Sequence, residues 1–267
     1  MIKLIVSDMD GTLLNDDKQL PQQFDLMLDE LKKRNIKFCA GSGRQFQSLR
    51  RHFEQHVNDM VFISDNGTFV YEGDSLVFAN TMSDEETKLV MERLIPYEVP
   101  LMMSGTQGAH RLDYQEPKII DEVSIYYAKQ IIHKSYDEVD DKIGKVALLD
   151  FSTKLHLEHL FDDKEHISIV HSGDIWWDVM SSTINKGVAL QEYMNKYNIQ
   201  KDEVIVFGDY MNDYEMLEAV DYSFAMANAV DRIKAVSNFM APTNNEEGVM
   251  TILQDVLEGT FKKKWQL

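Results

Sequence analysis

The chain has 267 residues, 44% of them hydrophobic, with 27 Lys and Arg against 45 Asp and Glu and a formal net charge of -18. That size supports one large domain or two modest ones, and the acidic balance argues against nucleic acid and anionic membrane as partners. A single cysteine, Cys39, excludes a disulfide framework within the chain, and no run approaches the roughly 18 apolar residues of a membrane span, so a cytoplasmic location is expected.

Leu4, Ile5 and Val6 read as a buried parallel strand that breaks into Asp8-Met9-Asp10-Gly11-Thr12. Residues at i and i+2 of an extended segment point the same way, so Asp8 and Asp10 can face one pocket. In open α/β sheets, ligands gather just past the carboxyl ends of the strands. Two carboxylates that close need a cation or a shared proton between them, and oxygen-only ligands favour Mg²⁺. Taken alone, Asp-x-Asp-Gly would be no more than a turn.

Residues 20–34 have helical spacing, with Phe24, Leu28 and Leu31 on one face. A strand over 37–40 then runs into Gly41-Ser42-Gly43-Arg44. A helix over 45–56, a strand over 61–64, the turn Asp65-Asn66-Gly67 and a hairpin of 68–71 with 76–79 follow. This alternation predicts a doubly wound, Rossmann-like α/β core. Near Met82 the pattern changes. A polar helix over 84–94, strands near 101–103 and 110–112, a mostly helical stretch over 117–130, a strand over 145–151 and a helix over 153–161 are predicted. Strands over 166–171 and 175–180 turn at Ser172-Gly173-Asp174. Residues 82–183 therefore read as an α+β domain inserted into a core formed by 1–81 and 184–267. Alternation then returns, with helices over 186–197, 213–220, 230–236 and 247–257, strands over 203–207 and 222–226, and a basic tail read as solvated.

Four strand ends carry unusual residues. They are Asp8/Asp10, Gly41-Ser42-Gly43-Arg44, Lys186-Gly187 at a helix start, and Gly208-Asp209-Tyr210-Met211-Asn212-Asp213. The second could hold an anion on a hydroxyl and free N–H groups, but lacks both the Walker and the dinucleotide spacing. Lys186 opposes the helix dipole, which a structural lysine seldom does without a nearby anion, though taken alone it reads as a solvated lysine. The last places a second carboxylate pair where a Mg²⁺ site would still need one. His52 and His56 lie one helical turn apart, as do His156 and His159; both pairs read as exposed and structural. Trp176, Trp177 and Asp178 suit a substrate pocket and core packing about equally.

Asp8-Met9-Asp10-Gly11-Thr12, Ser42-Gly43-Arg44, Lys186-Gly187 and Gly208-Asp209-x-x-Asn212-Asp213 resemble, in order, the four motifs of haloacid dehalogenase superfamily phosphatases. Ser64-x-Asn66-Gly67 and Ala225-Met226-Ala227-Asn228-Ala229 resemble signatures of the Cof-type branch, in which the insertion is a type IIB cap. The resemblance implies that Asp8 attacks phosphorus to form an aspartyl-phosphate and that Asp10 shuttles the proton. It implies Mg²⁺ held by Asp8, the Asp10 backbone carbonyl, Asp209 and Asp213, the last directly or through water. It further implies that Ser42, Arg44, Asn212 and backbone N–H groups near Met9 and Gly43 hold the phosphate, while Lys186 neutralises charge. The expected substrate is a small phosphomonoester, a sugar phosphate or a phosphorylated cofactor. A phosphomutase is the alternative, and a receiver-like signalling protein a more distant one, disfavoured by the Asp8/Asp10 pair and the insertion. Oligomeric state cannot be read from the sequence.

Overall fold

The computed structural model describes residues 1–172 and 175–266, so Gly173 and Asp174 of the expected turn lie outside the described residues. Among the described residues no helix is long and apolar enough to cross a membrane. The chain divides into two compact units, Met1–Phe78 with Asn185–Leu267, and Ala79–Ile184.

The first unit is built on an eight-stranded sheet. Its first five strands are β1 (Leu4–Asp8), β2 (Lys37–Gly41), β3 (Val61–Ser64), β4 (Phe69–Glu72) and β5 (Ser75–Ala79). Strands β12 (Val204–Gly208), β13 (Tyr222–Met226) and β14 (Phe239–Ala241) complete it, in the order β14-β13-β12-β1-β2-β3-β4-β5. From β14 to β3 every pairing is parallel, and β4 turns back antiparallel on β3. Continuous apolar runs such as Leu4-Ile5-Val6 follow from helices covering both faces. β1 is central, with Asp8 level with Gly41 of β2 and Ser7 level with Phe207 of β12. The ends of β1, β2 and β12 therefore share one edge of the sheet. This is the doubly wound core expected from the alternation.

Helices α1 (Phe24–Lys33) and α2 (Phe46–Leu49) belong to this unit and are shorter than the spacing suggested. The helix expected over 45–56 gives way to 3-10 turns at Arg50–Phe53 and Val57–Asp59. His56 is consequently buried, 3.2 Å from Asp25, rather than exposed. At the other end the basic tail forms a short helix, Phe261–Lys264, whose three lysines are exposed as expected while Phe261 is buried. Asp255 accepts from Lys264 and, at 3.1 Å, from the Trp265 indole.

The second unit holds helices α3 (Asp84–Leu94) and α4 (Pro117–Tyr126) and a six-stranded sheet. Its strands are β6 (Leu101–Gly105), β7 (Ala109–Leu112), β8 (Gln130–His133), β9 (Ile143–Leu149), β10 (Ile167–His171) and β11 (Trp176–Ser181), ordered β10-β11-β9-β6-β7-β8. Period-two alternation divides two cores between its faces. Met103, Val146, Leu148, Trp177 and Val179 join one, and Met102, Ala147, Leu149 and Trp176 the other. Both tryptophans are thus packed, Trp176 donating to Glu122 at 2.8 Å. Asp178 lies buried 3.4 Å from Lys145. Two expectations fail here. The stretch 117–130 ends its helix at Tyr126, and residues 130–133, with paired β-branched Ile131 and Ile132, form β8 beside β7. No helix forms over 153–161, because the Asp150 carboxylate captures the N–H groups of Ser152, Thr153 and Leu155 and holds a turn instead.

Candidate active site

Where β1 ends, the chain turns sharply. Leu13 and Leu14 donate back to the carbonyls of Asp8 and Met9, and Gly11 takes φ +86°. A Cβ on Gly11 would lie 2.5 Å from Oδ2 of Asp209, so this glycine lets the first loop approach the end of β12. Thr12, itself buried, donates to Oδ1 of Asp209 at 2.8 Å. Met9 is buried in the core, leaving its backbone as what it can offer a ligand.

Carboxylate oxygens of Asp8, Asp209 and Asp213 lie within 4.8 Å of one another. Lys186 enters this cluster from the first turn of α5 (Lys186–Tyr197), whose start is capped by the Asn185 side chain accepting from Val188 N–H. Its Nζ is fully buried and donates to Oδ1 of Asp8 at 2.5 Å and Oδ1 of Asp213 at 2.7 Å. The other Asp213 oxygen accepts from the N–H groups of Asp209 and Tyr210 at 3.0 and 3.2 Å. Three carboxylates against one ammonium leave 3 − 1 = 2 negative charges when all are ionised.

The Asp10 side chain stands apart from this cluster. Arg44 grips it with two bonds, Nη2 to Oδ1 at 2.7 Å and Nε to Oδ2 at 3.0 Å, and Lys18 adds a third contact at 2.9 Å. His52 lies 3.2 Å from Arg44. Ser42 is buried, its hydroxyl accepting from Arg44 N–H at 3.2 Å. Gly43 packs against the Asn66 amide, which accepts from Asn212 at 3.2 Å.

These surroundings set the charges. Burial, then the charge of Asp213, pushes the Asp8 carboxyl well above its ordinary range, with Lys186 pulling the other way. Burial takes Asp209 up to about 6, against the Thr12 hydrogen bond. Burial would lower Lys186, but Asp213 and Asp8 outweigh it and hold the ammonium above the usual lysine range. Burial would also raise Asp10, yet Lys18 and Arg44 overcome it and keep that carboxyl below the ordinary range.

A family model described as haloacid dehalogenase-like hydrolase matches residues 5–253. The chain belongs to this family. The 5-amino-6-(5-phospho-D-ribitylamino)uracil phosphatase YbjI of Escherichia coli (strain K12) is 30% identical over 263 residues, covering 96% of this chain and 97% of that protein. Its namesake YitU of Bacillus subtilis (strain 168) is 25% identical over 273 residues, covering 94% and 96%. A crystal structure from Thermotoga maritima superposes with a TM-score of 0.84 at 24% identity over 95% of this chain and 97% of its own, a likeness of fold. This haloacid dehalogenase-like hydrolase is thus a Cof-type phosphatase, an enzyme that cleaves phosphoric monoesters.

Within this hydrolase, the three-carboxylate cluster fits a divalent metal. The donors are all oxygen, as hard cations require, and with all three carboxyls ionised the two negative charges left after Lys186 are what one such ion would balance. Asp213 already commits one oxygen to Lys186 and the other to two N–H groups, so Asp8 and Asp209 have the freer lone pairs. The fold brings Asp8, Lys186, Asp209 and Asp213 together, Asp10 with Arg44, and Asn212 with the turn beside Gly43. Thr12, Lys18 and Asn66 also take part without having been assigned a role from sequence. Thr12 and Asn66 lie inside the recognised motifs, whereas Lys18 carries no local signal and reaches Asp10 because the chain doubles back at residue 18, φ +61°.

Proposed function

We propose that this phosphatase is a cytoplasmic, Mg²⁺-dependent enzyme that passes the phosphoryl group of small phosphomonoesters through Asp8. The buried contact of Lys186 with both Asp8 and Asp213 carries this reading, since it fixes one carboxylate beside a cation at the end of the central strand. The Asp8 oxygen bonds to phosphorus as the bond from phosphorus to the leaving oxygen breaks, and Asp10 gives that oxygen a proton. Water then attacks the acyl phosphate, Asp10 takes its proton, and phosphate leaves with Asp8 restored. The grip of Arg44 and Lys18 favours the ionised Asp10 that this second half needs. Asp8 and Asp209 would hold Mg²⁺, with Asp213 as an outer partner and the Asp10 carbonyl as a further donor. When bound, the ion neutralises charge on the phosphoryl oxygens. Ser42, Arg44, Asn212 and the N–H groups near Met9 and Gly43 bind those oxygens, and Lys186 offsets the charge that develops between them and Asp8.

Residues 82–183 are proposed as the type IIB cap that sets discrimination among substrates. Because YbjI and YitU are named for a phosphoribitylamino-uracil, that compound heads the panel to be tried, with sugar phosphates beside it. Phosphate release is measured across the panel with and without Mg²⁺, for the wild type and Asp8→Asn. Loss of turnover in a folded Asp8→Asn is expected; substantial residual release would remove Asp8 from its role.

A further inference from the structure

The turn that joins β3 to β4 is strained at the edge of the site. Asp65, Asn66 and Gly67 are consecutive residues with positive φ, +48°, +56° and +103°. A left-handed conformation is uncommon outside glycine, with Asn and Asp the usual exceptions, and three such residues in succession persist where the surroundings over-determine them. Here they do. Asp65 N–H donates to the Arg44 carbonyl and Asn66 N–H to the Ser42 carbonyl, both at 3.0 Å. A Cβ on Gly67 would lie 2.2 Å from the Asn185 carbonyl, one residue before Lys186. The turn is thus wedged between Ser42–Arg44 on one side and the start of α5 on the other.

From this wedge the half-buried Asn66 side chain projects over Gly43, whose Cβ, were there one, would sit 3.1 Å from both amide atoms. Its Oδ1 accepts from Asn212 at 3.2 Å. With Oδ1 taken, the Nδ2 hydrogens are the part of the amide left to meet a ligand, and no acceptor among the described residues takes them. Asn suits the left-handed conformation at residue 66, but that does not by itself fix the carboxamide between Gly43 and Asn212.

We propose that Asn66 is a further phosphoryl-binding residue, its Nδ2 donating to a phosphoryl oxygen while its Oδ1 orients Asn212. This inference rests on the proposed reaction at Asp8 and names one more group of the same site. It also explains the restraint on the turn, because an amide that must meet a tetrahedral anion gains from being fixed in advance.

The test uses full-length enzyme with Mg²⁺ and inorganic phosphate as a competitive inhibitor. Asn66→Gly removes the amide at a φ that glycine adopts freely, and Asn66→Asp keeps an acceptor for Asn212 while replacing the donor by a negative charge. We expect Asn66→Gly to weaken phosphate inhibition by about 10- to 150-fold, the range for one hydrogen bond to a charged group. Asn66→Asp should weaken it further, with melting temperatures close to wild type. Asn212→Ala should cost less in the Asn66→Gly background than alone, since the two residues share one contact. Wild-type inhibition in Asn66→Gly would overturn the proposal. So would wild-type inhibition in Asn66→Asp, which would reduce Asn66 to a support for Asn212. Asp8→Asn run in parallel separates the two readings: turnover there removes the reaction itself, whereas its loss beside an unaffected Asn66→Gly removes only this residue.

Discussion

Replacing Lys186 by Met keeps a stem of similar length and deletes the charge. In the wild type three carboxylates face one ammonium; in the variant they face none, so the uncompensated charge rises from 2 to 3. Breaking a buried pair by removing one partner costs about 3–5 kcal/mol, and Lys186, with both partners within 2.7 Å and no exposure, is such a case. At about 2–4 °C per kcal/mol for a chain of this length, the melting temperature should fall by roughly 6–20 °C. The lower end is the better expectation, because the carboxyls can take up a proton in place of the ammonium. That escape fixes the pH dependence. Asp209 is raised to about 6 in the fold, so its penalty on the folded state builds as pH rises from the ordinary carboxylate range to about 6 and stands in full above that, and losing Lys186, which holds this carboxyl down, extends the rise to higher pH. The deficit of Lys186→Met should therefore be larger at about pH 8 than at about pH 5.5. Adding Asp213→Asn should restore part of the loss, since it removes one repelling charge and leaves an oxygen for the Asp209 and Tyr210 N–H groups. Calorimetry without added metal reads all three quantities. A Lys186→Met melting curve that overlays the wild type at high pH, or a double variant less stable than the single, would refute the reasoning.

Three further outcomes follow from the same geometry. Asp10→Asn should slow hydrolysis of an alkyl phosphate by about 10²–10⁴-fold and of an aryl phosphate with an acidic leaving group far less, as a comparison of kcat on the two substrates would reveal. Mg²⁺ should raise the melting temperature more at about pH 7.5 than at about pH 5.5, because the ion must displace a proton from Asp209 at the lower pH; an equal rise at both would detach Asp209 from the metal. Gly11→Ala, which must hold φ +86° and place a Cβ 2.5 Å from Asp209, should lower Mg²⁺ affinity at least tenfold by calorimetric titration while Asp8→Asn retains its fold, and unchanged affinity would show that the loop can yield.

Much of this was legible because the chemistry sits where local pattern is strongest. The apolar run before Asp8 and the alternation around it specify a parallel sheet, and in such a sheet the strand ends are where side chains converge. Lys186, a cation at a helix start, reads by itself as a solvated lysine and takes its role from the order of the motifs. What escaped was settled at a distance. Residues 130–133 look like the continuation of α4 until Ala109–Leu112 offers them a partner. Residues 153–161 have helical spacing, yet one carboxylate, Asp150, outbids the helix for three N–H groups. Lys18 has no motif around it and reaches Asp10 only through a backbone reversal. Asp8 and Asp10 were expected to face one pocket; Asp10 acts on the charge of Asp209, while its carboxylate is held by Arg44 and that of Asp8 by Lys186, partners that the spacing did not name.

The close approaches of Gly11 to Asp209, Gly43 to Asn66 and Gly67 to Asn185 also bear on how such a site can diverge. Gly11 and Gly67 leave no room for a methyl group, and one on Gly43 would need the Asn66 amide to give way. An exchange in one stretch is then tolerated only if its neighbour has already shifted, so substitutions acceptable in a distant relative would be harmful when transplanted here singly. Changes at these positions are therefore expected to be coupled, whereas exposed loops away from them are freer to vary singly.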